Sequence, residues 1–395
     1  MGKGMNISNW LEAPWQTGWP TPDGYTKGHL QLMQEAGIQS LRLPVQFFQV
    51  VDTLPPYTVD LGHALFTRID TVIAWADELG MNVIIDNHHG WDLNNDLWRN
   101  RQGAFTHLWS VLAQKYMGLD PDRYTFELLN EPTLFFSGDS LEVLFNDAID
   151  SIRQHTTDHT IIVSPHLGGS ALMLPEMPIY ADTNLIYTWH TYDPLDFTHQ
   201  GLTWNSPYFP EGNPFPHPDT SFLEHWVYNG WQNVADWKQQ NALPIMLGEF
   251  GVSNYADDTS ACNWMTYVGL HLRDLDIPWF YWDWQWDFTM FHSNTIGADS
   301  IIPCFRTALG LYGDNTLGVM EDERNVDALI WPNPAEAGMP VRLPAGAASA
   351  RIITSDGRVV SIGQRSTVSA PDLPGLYIVQ WQQGSRYLRT KLIVP

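Results

Sequence analysis

Two glutamates carry the strongest chemical signal in this sequence. Glu131 ends the run Phe126-Glu127-Leu128-Leu129-Asn130-Glu131, and Glu249 ends Ile245-Met246-Leu247-Gly248-Glu249. Each follows a stretch apolar enough to be a buried strand. A carboxylate there costs several kcal/mol unless something pairs with it or uses it. Two such carboxyls facing one another suit cleavage of a glycosidic bond. One protonates the leaving oxygen, and the other acts as nucleophile or as base toward water. A gap of about 5–5.5 Å between the carboxyls means retention of configuration and about 6.5–9.5 Å means inversion. Sequence does not measure that gap.

Other polar residues fall at or near the ends of strand-like runs: Arg42, His88 and His89, Asn130, His190 and Tyr192, with Trp282 inside the last run. A single arginine or histidine at a strand end is ordinarily structural, and a single tryptophan in a strand is ordinarily core. The imidazoles and glutamates are also donors that zinc or manganese accepts. The sequence has no His-Glu-x-x-His pattern, however, and the donors are scattered over separate strand ends, so no metal is expected. No glycine-rich phosphate loop follows the first strand and no Gly-x-Ser-x-Gly occurs. A nucleotide cofactor and a serine-esterase elbow are therefore not expected, and no cofactor is called for.

The elements that must position these residues alternate. Strand-like runs are expected near residues 5–9, 38–44, 82–88, 124–131, 160–165, 185–192, 243–251 and 277–284. Helical patterns intervene at 27–36, 63–79, 105–116, 141–155, 222–240, 262–275 and 301–312, with only a weak turn around Ala171. In the second helix Leu65, Ile69, Val72, Ile73 and Ala76 share one face before Gly80 stops it. This alternation is what a (β/α)8 barrel needs, and a barrel gathers the C-terminal ends of its strands on one face, where active sites lie.

The pattern changes after about residue 315. Pro332, Pro334, Pro340 and Pro344 crowd the boundary, and short β-type stretches follow at 350–354, 358–362, 376–382 and 387–394. Asp356-Gly357 reads as a hairpin turn between two of them. The expected organisation is α/β: a catalytic barrel over 1–315, a linker over 316–331, and a small all-β, immunoglobulin-like sandwich over 332–395.

Composition narrows the partners. The formal charge is −24, from 20 Lys and Arg against 44 Asp and Glu, which repels nucleic acid and anionic membrane surfaces. A neutral polysaccharide is indifferent to that charge. Nineteen tryptophans suit both a large core and a groove that stacks on sugar faces. Cys262 and Cys304 could form one bridge or remain two buried thiols. No membrane-spanning run and no signal peptide is visible, and residues 5–7 already read as strand, so any export signal is expected to have been removed or never cloned.

Residues 1 to about 313 resemble glycoside hydrolase family 5, the cellulase family of clan A. The resemblance rests on Gly4-Met5-Asn6, Arg42-Leu43-Pro44, Ile85-Asp86-Asn87-His88-His89, Leu129-Asn130-Glu131-Pro132, His190-Thr191-Tyr192, Gly248-Glu249-Phe250-Gly251 and Trp282, in that order. It implies Glu131 as acid/base, Glu249 as nucleophile and hence retention, with Asn130 on the sugar 2-hydroxyl. It further implies Arg42 and Tyr192 beside Glu249, His88 and His190 lining the cleavage subsite, Trp282 as its platform and His89 one subsite further out. The stretch Phe197-Thr198-His199-Gln200, with Trp204, resembles a branch of bacterial endoglucanases, which implies that His199, Gln200 and Trp204 shape the groove. The implied substrate is a β-glucan polysaccharide with β-1,4 linkages, cut inside the chain by a monomer. Mannan, xyloglucan and exo-acting relatives are the alternatives, and a non-catalytic glucan-binding barrel is the remote one.

The C-terminal module resembles the sorting domain of Bacteroidetes type IX secretion through Trp331-Pro332-Asn333-Pro334, Ile353-Thr354-Ser355-Asp356-Gly357, Leu373-Pro374-Gly375-Leu376-Tyr377 and the tail Lys391-Leu392-Ile393-Val394. That implies the type IX machinery as a partner and a protein secreted or attached to the cell surface, where a Cys262–Cys304 bridge is permissible. A sugar-binding module, using Trp381, Tyr377 and Tyr387, and a structural brace are the alternatives for this segment.

Overall fold

A computed structural model of the chain describes residues 2–21, 24–89, 97–132, 138–219, 221, 223–291, 300–311, 330, 333–343, 347–354, 359–364, 367–383 and 386–394. The Asp356-Gly357 turn, Trp331-Pro332 and nearly all of the expected linker lie outside these residues. The chain divides into two compact units, Met1–Asp314 and Asn315–Pro395.

The first unit is a closed barrel of eight parallel strands in sequence order. They are β1 (Lys3–Asn6), β2 (Ser40–Val45), β3 (Asn82–Asn87), β4 (Tyr124–Glu127), β5 (Ile161–Val163), β6 (Leu185–Thr191), β7 (Ile245–Phe250) and β8 (Trp279–Tyr281). Ile84, Ile162, Met246 and Phe280 form a separate small core from four of these strands. Gly4 makes room for it, because a Cβ there would come within 2.1 Å of the Phe280 ring. Outward residues such as Leu41, Leu43, Val83 and Ile85 join the large core shared with the helices. Parallel strands covered on both faces bury apolar residues at successive positions, which is why these runs read as continuous rather than alternating.

The helices end where local chemistry dictates. The Ala64–Leu79 helix starts at His63, whose side chain accepts from Leu65 N–H, and stops at Gly80 in the left-handed conformation. The Asp258–Asp274 helix begins four residues before the expected 262, because the Asp257 carboxylate caps Ser260 N–H. After β5 the chain makes a four-residue turn, His166–Gly169, broken by left-handed Leu167 and Gly168, and then a 3-10 turn, Ala171–Glu176, in the place of a full helix. Among the described residues no helix is long and apolar enough to cross a membrane.

Cys262 and Cys304 are bonded, tying the Asp258–Asp274 helix to the Pro303–Leu309 helix. The bridge spans 42 residues. Closing a loop of that size in the unfolded chain is worth about 4 kcal/mol in the chain-entropy account, and measured bridges typically give about 2–4. Replacing both cysteines by serine is therefore expected to lower the melting temperature of the oxidised protein by several degrees. Identical melting curves for the double variant and the wild type would show that the bridge carries none of the stability.

The second unit is all β. Its described strands form one six-stranded antiparallel sheet in the order β14-β13-β10-β11-β12-β9. They are β9 (Pro340–Arg342), β10 (Ala347–Ile353), β11 (Val359–Gln364), β12 (Thr367–Ser369), β13 (Gly375–Gln383) and β14 (Arg386–Val394). The two three-residue strands, β9 and β12, are additions to the sequence reading. Ile330, which sequence placed in the linker, is buried with Val341, Ile352, Val379, Trp381 and Leu392 in this unit's own core.

Candidate active site

The site is built on a buried arginine. Arg42 on β2 is fully enclosed. Its Nε and Nη2 donate to the two oxygens of Glu127 at 2.7 and 2.9 Å. Nη2 also donates to Asn130 Oδ1 at 2.7 Å and lies 3.1 Å from Asp86 Oδ2. Nη1 donates to Asn6 Oδ1 at 2.9 Å and to Glu249 Oε1 at 2.7 Å. A guanidinium stripped of water survives only when its donors are used this completely. Asn6 in turn donates to the carbonyls of Gly248, Phe280 and Tyr281, joining β1 to β7 and β8.

Glu249 reaches this network through a bulge. Met246 belongs to the small core with Phe280, so strict alternation would turn Glu249 away from the barrel axis. The register between β6 and β7 slips by one residue between Trp189 and His190, where His190 pairs with Glu249 and Gly248 is skipped. A bulge of this kind re-aims a side chain. Only glycine fits at its apex: a Cβ on Gly248 would lie 2.6 Å from Thr188 Oγ1 and 2.9 Å from His190 Nε2. Tyr192 O–H donates to the second oxygen, Glu249 Oε2, at 2.9 Å. Burial pushes the Glu249 carboxyl above the usual range, while His190, Arg42 and the Tyr192 bond pull it back.

Glu131 stands opposite and is more open, its side chain keeping 39% of its surface at the mouth. Its Oε1 lies 2.8 Å from His190 Nδ1, and that nitrogen is 3.9 Å from Glu249 Oε2. The protein around the Glu131 carboxyl withdraws enough water to push it up to about 7, against an opposing pull from Arg42. Desolvation drives His190 down to about 4, so its ring is neutral near pH 7. One oxygen of each glutamate and the His190 nitrogen all lie within 4.8 Å of one another. These three atoms are also the donor set, among the described residues, that a metal ion would need. The Arg42 guanidinium on Glu249 already supplies the positive charge that a cation would bring to that carboxylate.

The walls come from neighbouring strand ends. His88 Nδ1 is bonded to Asp86 Oδ2 at 2.6 Å, and burial holds its imidazole well below the usual range, so it too is neutral. The Trp282 ring lies nearly parallel to His88, at 5.5 Å between centroids, and His89 packs edge-on against His88 at 4.2 Å. His199 meets Tyr192 edge-on at 5.0 Å, and Phe288 closes on both. Trp204 lies further out, 61% exposed, with its indole N–H on Asp287 Oδ2 at 2.8 Å.

Gln200 is not in the groove. It is fully enclosed; its Nε2 donates to the carbonyls of Phe197 and Asn213, and its Oε1 accepts from the N–H groups of Gly212 and Asn213. With these bonds made, it braces the loop that carries His199 and Trp204. Sequence reasoning missed Glu127 as the bidentate partner of Arg42 and left Asn6 and Asp86 without roles. The usable signal was alternation on β4, which puts Glu127 on the same side as Thr125 inside an apolar run. It also missed Trp15, which is 66% exposed and stands 6.2 Å from the His89 ring.

Known proteins are similar in sequence and fold. Residues 2–287 match the family model of cellulase, glycosyl hydrolase family 5. Endoglucanase H of Acetivibrio thermocellus is 28% identical over 269 residues, 68% of this chain and 28% of that protein. Endoglucanase 3 of Fibrobacter succinogenes is 25% identical over 348 residues, 75% of this chain and 51% of that one. The chain thus spans about half or less of these two curated relatives. Thermotoga maritima Cel5A, solved with cellobiose, superposes with a TM-score of 0.69 at 28% identity, over 78% of this chain and 97% of that one. The same protein has also been solved with mannotriose.

Proposed function

Because the chain belongs to glycosyl hydrolase family 5, the cellulase family, we propose that it hydrolyses internal β-1,4 bonds of cellulose or mixed-linkage β-glucan with retention. The observation that carries the mechanism is the pair of carboxyl oxygens, one from Glu131 and one from Glu249, within 4.8 Å of one another. That proximity supports a retaining pair, whose carboxyl groups stand about 5–5.5 Å apart, over an inverting pair at about 6.5–9.5 Å.

In this reading Glu249 attacks the anomeric carbon while Glu131 gives its proton to the leaving oxygen, forming a covalent glycosyl-enzyme. Glu131 then takes a proton from a water whose oxygen attacks the anomeric carbon, breaking the ester to Glu249 and releasing the sugar and the free carboxylate. Arg42 and Tyr192 hold one oxygen of Glu249 each and keep the carboxylate charged and aimed. Asn130 presents its amide to the sugar 2-hydroxyl, its carbonyl end being occupied by Arg42. Trp282 is the platform at the cleavage subsite, with His88 and His190 as its neutral walls. His89 serves the next subsite, and His199 and Trp204 shape the opposite wall.

The two sugars bound by Cel5A, cellobiose and mannotriose, make mannan the second reading. Incubation with carboxymethyl cellulose, barley β-glucan, xyloglucan and galactomannan, following viscosity and reducing ends together, separates these. A fast viscosity loss with few new ends on either glucan is expected. Slow viscosity loss with many ends would replace internal cleavage by exo action, and activity confined to galactomannan would overturn the substrate. For the second unit, whose described strands form one six-stranded sheet, we propose an immunoglobulin-like β module that serves type IX export to the cell surface or medium. The Pro-Gly-Leu-Tyr turn, the terminal strand and the disulfide, which belongs in an oxidising compartment, support that reading.

A further inference from the structure

The residue after the Trp282 platform is an enclosed acid with acidic neighbours. Asp283 is fully buried, and its Oδ2 accepts from the Ser8 hydroxyl and, at 3.5 Å, from Asn9 Nδ2. The acids acting on it are Glu12, itself pushed up to about 8 by burial, and Asp287, and the phenols of Tyr25, Tyr192 and Tyr281 also face it. Burial, with these acids adding to it, pushes the carboxyl well above the carboxylate range, so it is held as the neutral acid. Glu12 fixes the other end of the tie. Its carboxyl oxygens accept from the N–H groups of Asn9 and Trp10, holding Asn9 in the left-handed region at φ 53°.

Trp282 is secured on its other side by β7. Its N–H donates to Phe250 O at 2.9 Å, and its carbonyl lies against Gly251, where a Cβ would come within 2.0 Å. The indole therefore stands between two anchors. The β7 anchor is backbone alone, and the anchor toward β1 is the Asp283 carboxyl on Ser8.

We propose that Asp283, through its hydrogen bond to Ser8, is a positioning residue for the Trp282 sugar platform, setting the height and tilt of the indole from the loop after β1. The inference rests on the proposed role of Trp282, and a double-mutant cycle separates the two. Asp283→Ala is expected to lower kcat/KM on cellotetraose about tenfold. Asp283→Asn, a neutral isostere able to make the same bond, should stay within about threefold of wild type. In a Trp282→Ala background, itself strongly impaired, Asp283→Ala should cost less than about twofold. Ser8→Ala removes the same bond from the other end and should reproduce the Asp283→Ala loss, with melting temperatures confirming that each variant is folded.

A Trp282→Ala enzyme with wild-type kcat/KM would overturn the platform role, and this inference with it. An impaired Trp282→Ala enzyme with an undiminished Asp283→Ala loss in its background would overturn the inference alone. So would an Asp283→Asn variant as damaged as Asp283→Ala.

Discussion

With Glu249 as the proposed nucleophile, Glu249→Ala is expected to lose about 10⁴–10⁶-fold in kcat on glucan, the scale on which removal of an activated nucleophile acts. The size follows from how completely the carboxylate is prepared. Its two oxygens are held by different donors, Arg42 Nη1 at 2.7 Å and Tyr192 O–H at 2.9 Å, and the bulge at Gly248 turns it toward the substrate. No neighbour can take its place: Glu127 and Asp86 are enclosed on Arg42. The variant should be rescued by azide on a dinitrophenyl cellobioside, because the anion fits the space left by the carboxyl and the poor acid demand of that leaving group spares the rest of the site. Azide arriving on the nucleophile's face yields the α-glycosyl azide. Residual activity above about one per cent of wild type would be too high for loss of the nucleophile, and a β-glycosyl azide would exchange the roles of the two glutamates.

What could be read before the structure was known divides along a physical line. Apolar runs and helical periodicity are local, so the eight strands and the change to β structure after residue 315 were visible in order. Residues at strand ends were also visible, since a barrel must gather them. Pairings that cross the barrel were not. The hold of Arg42 on Glu127, Asp86 and Glu249 joins β2 to β4, β3 and β7, and nothing local to Arg42 announces those partners. The bulge is likewise invisible in Leu247-Gly248-Glu249 alone, because a glycine in a strand has several uses. Gln200 misled for the converse reason. Its neighbours His199 and Trp204 do face the aromatic wall, but the loop turns between them and folds the amide inward onto Phe197, Gly212 and Asn213.

The acid/base role proposed for Glu131 has a signature in two variables, leaving group and pH. Its carboxyl is pushed up to about 7, so near neutral pH a useful fraction carries the proton that the leaving oxygen needs. His190 is neutral there and serves both forms, accepting from the acid or donating to the carboxylate through Nδ1. The protonated form starts the reaction, so kcat/KM should fall as pH rises through about 7. Once Glu249 is esterified its negative charge is gone, Glu131 gives up its proton more easily, and the same group becomes the base. Glu131→Gln therefore loses about 10²–10⁴-fold on glucan. On a dinitrophenyl cellobioside, which leaves without protonation, bond cleavage should be slowed by less than about tenfold, followed by slow release visible as a burst. The fall of kcat/KM on the alkaline side should vanish in this variant, since an amide does not titrate. Equal losses on both substrates, or an alkaline limb that persists in Glu131→Gln, would move the acid/base role to another residue.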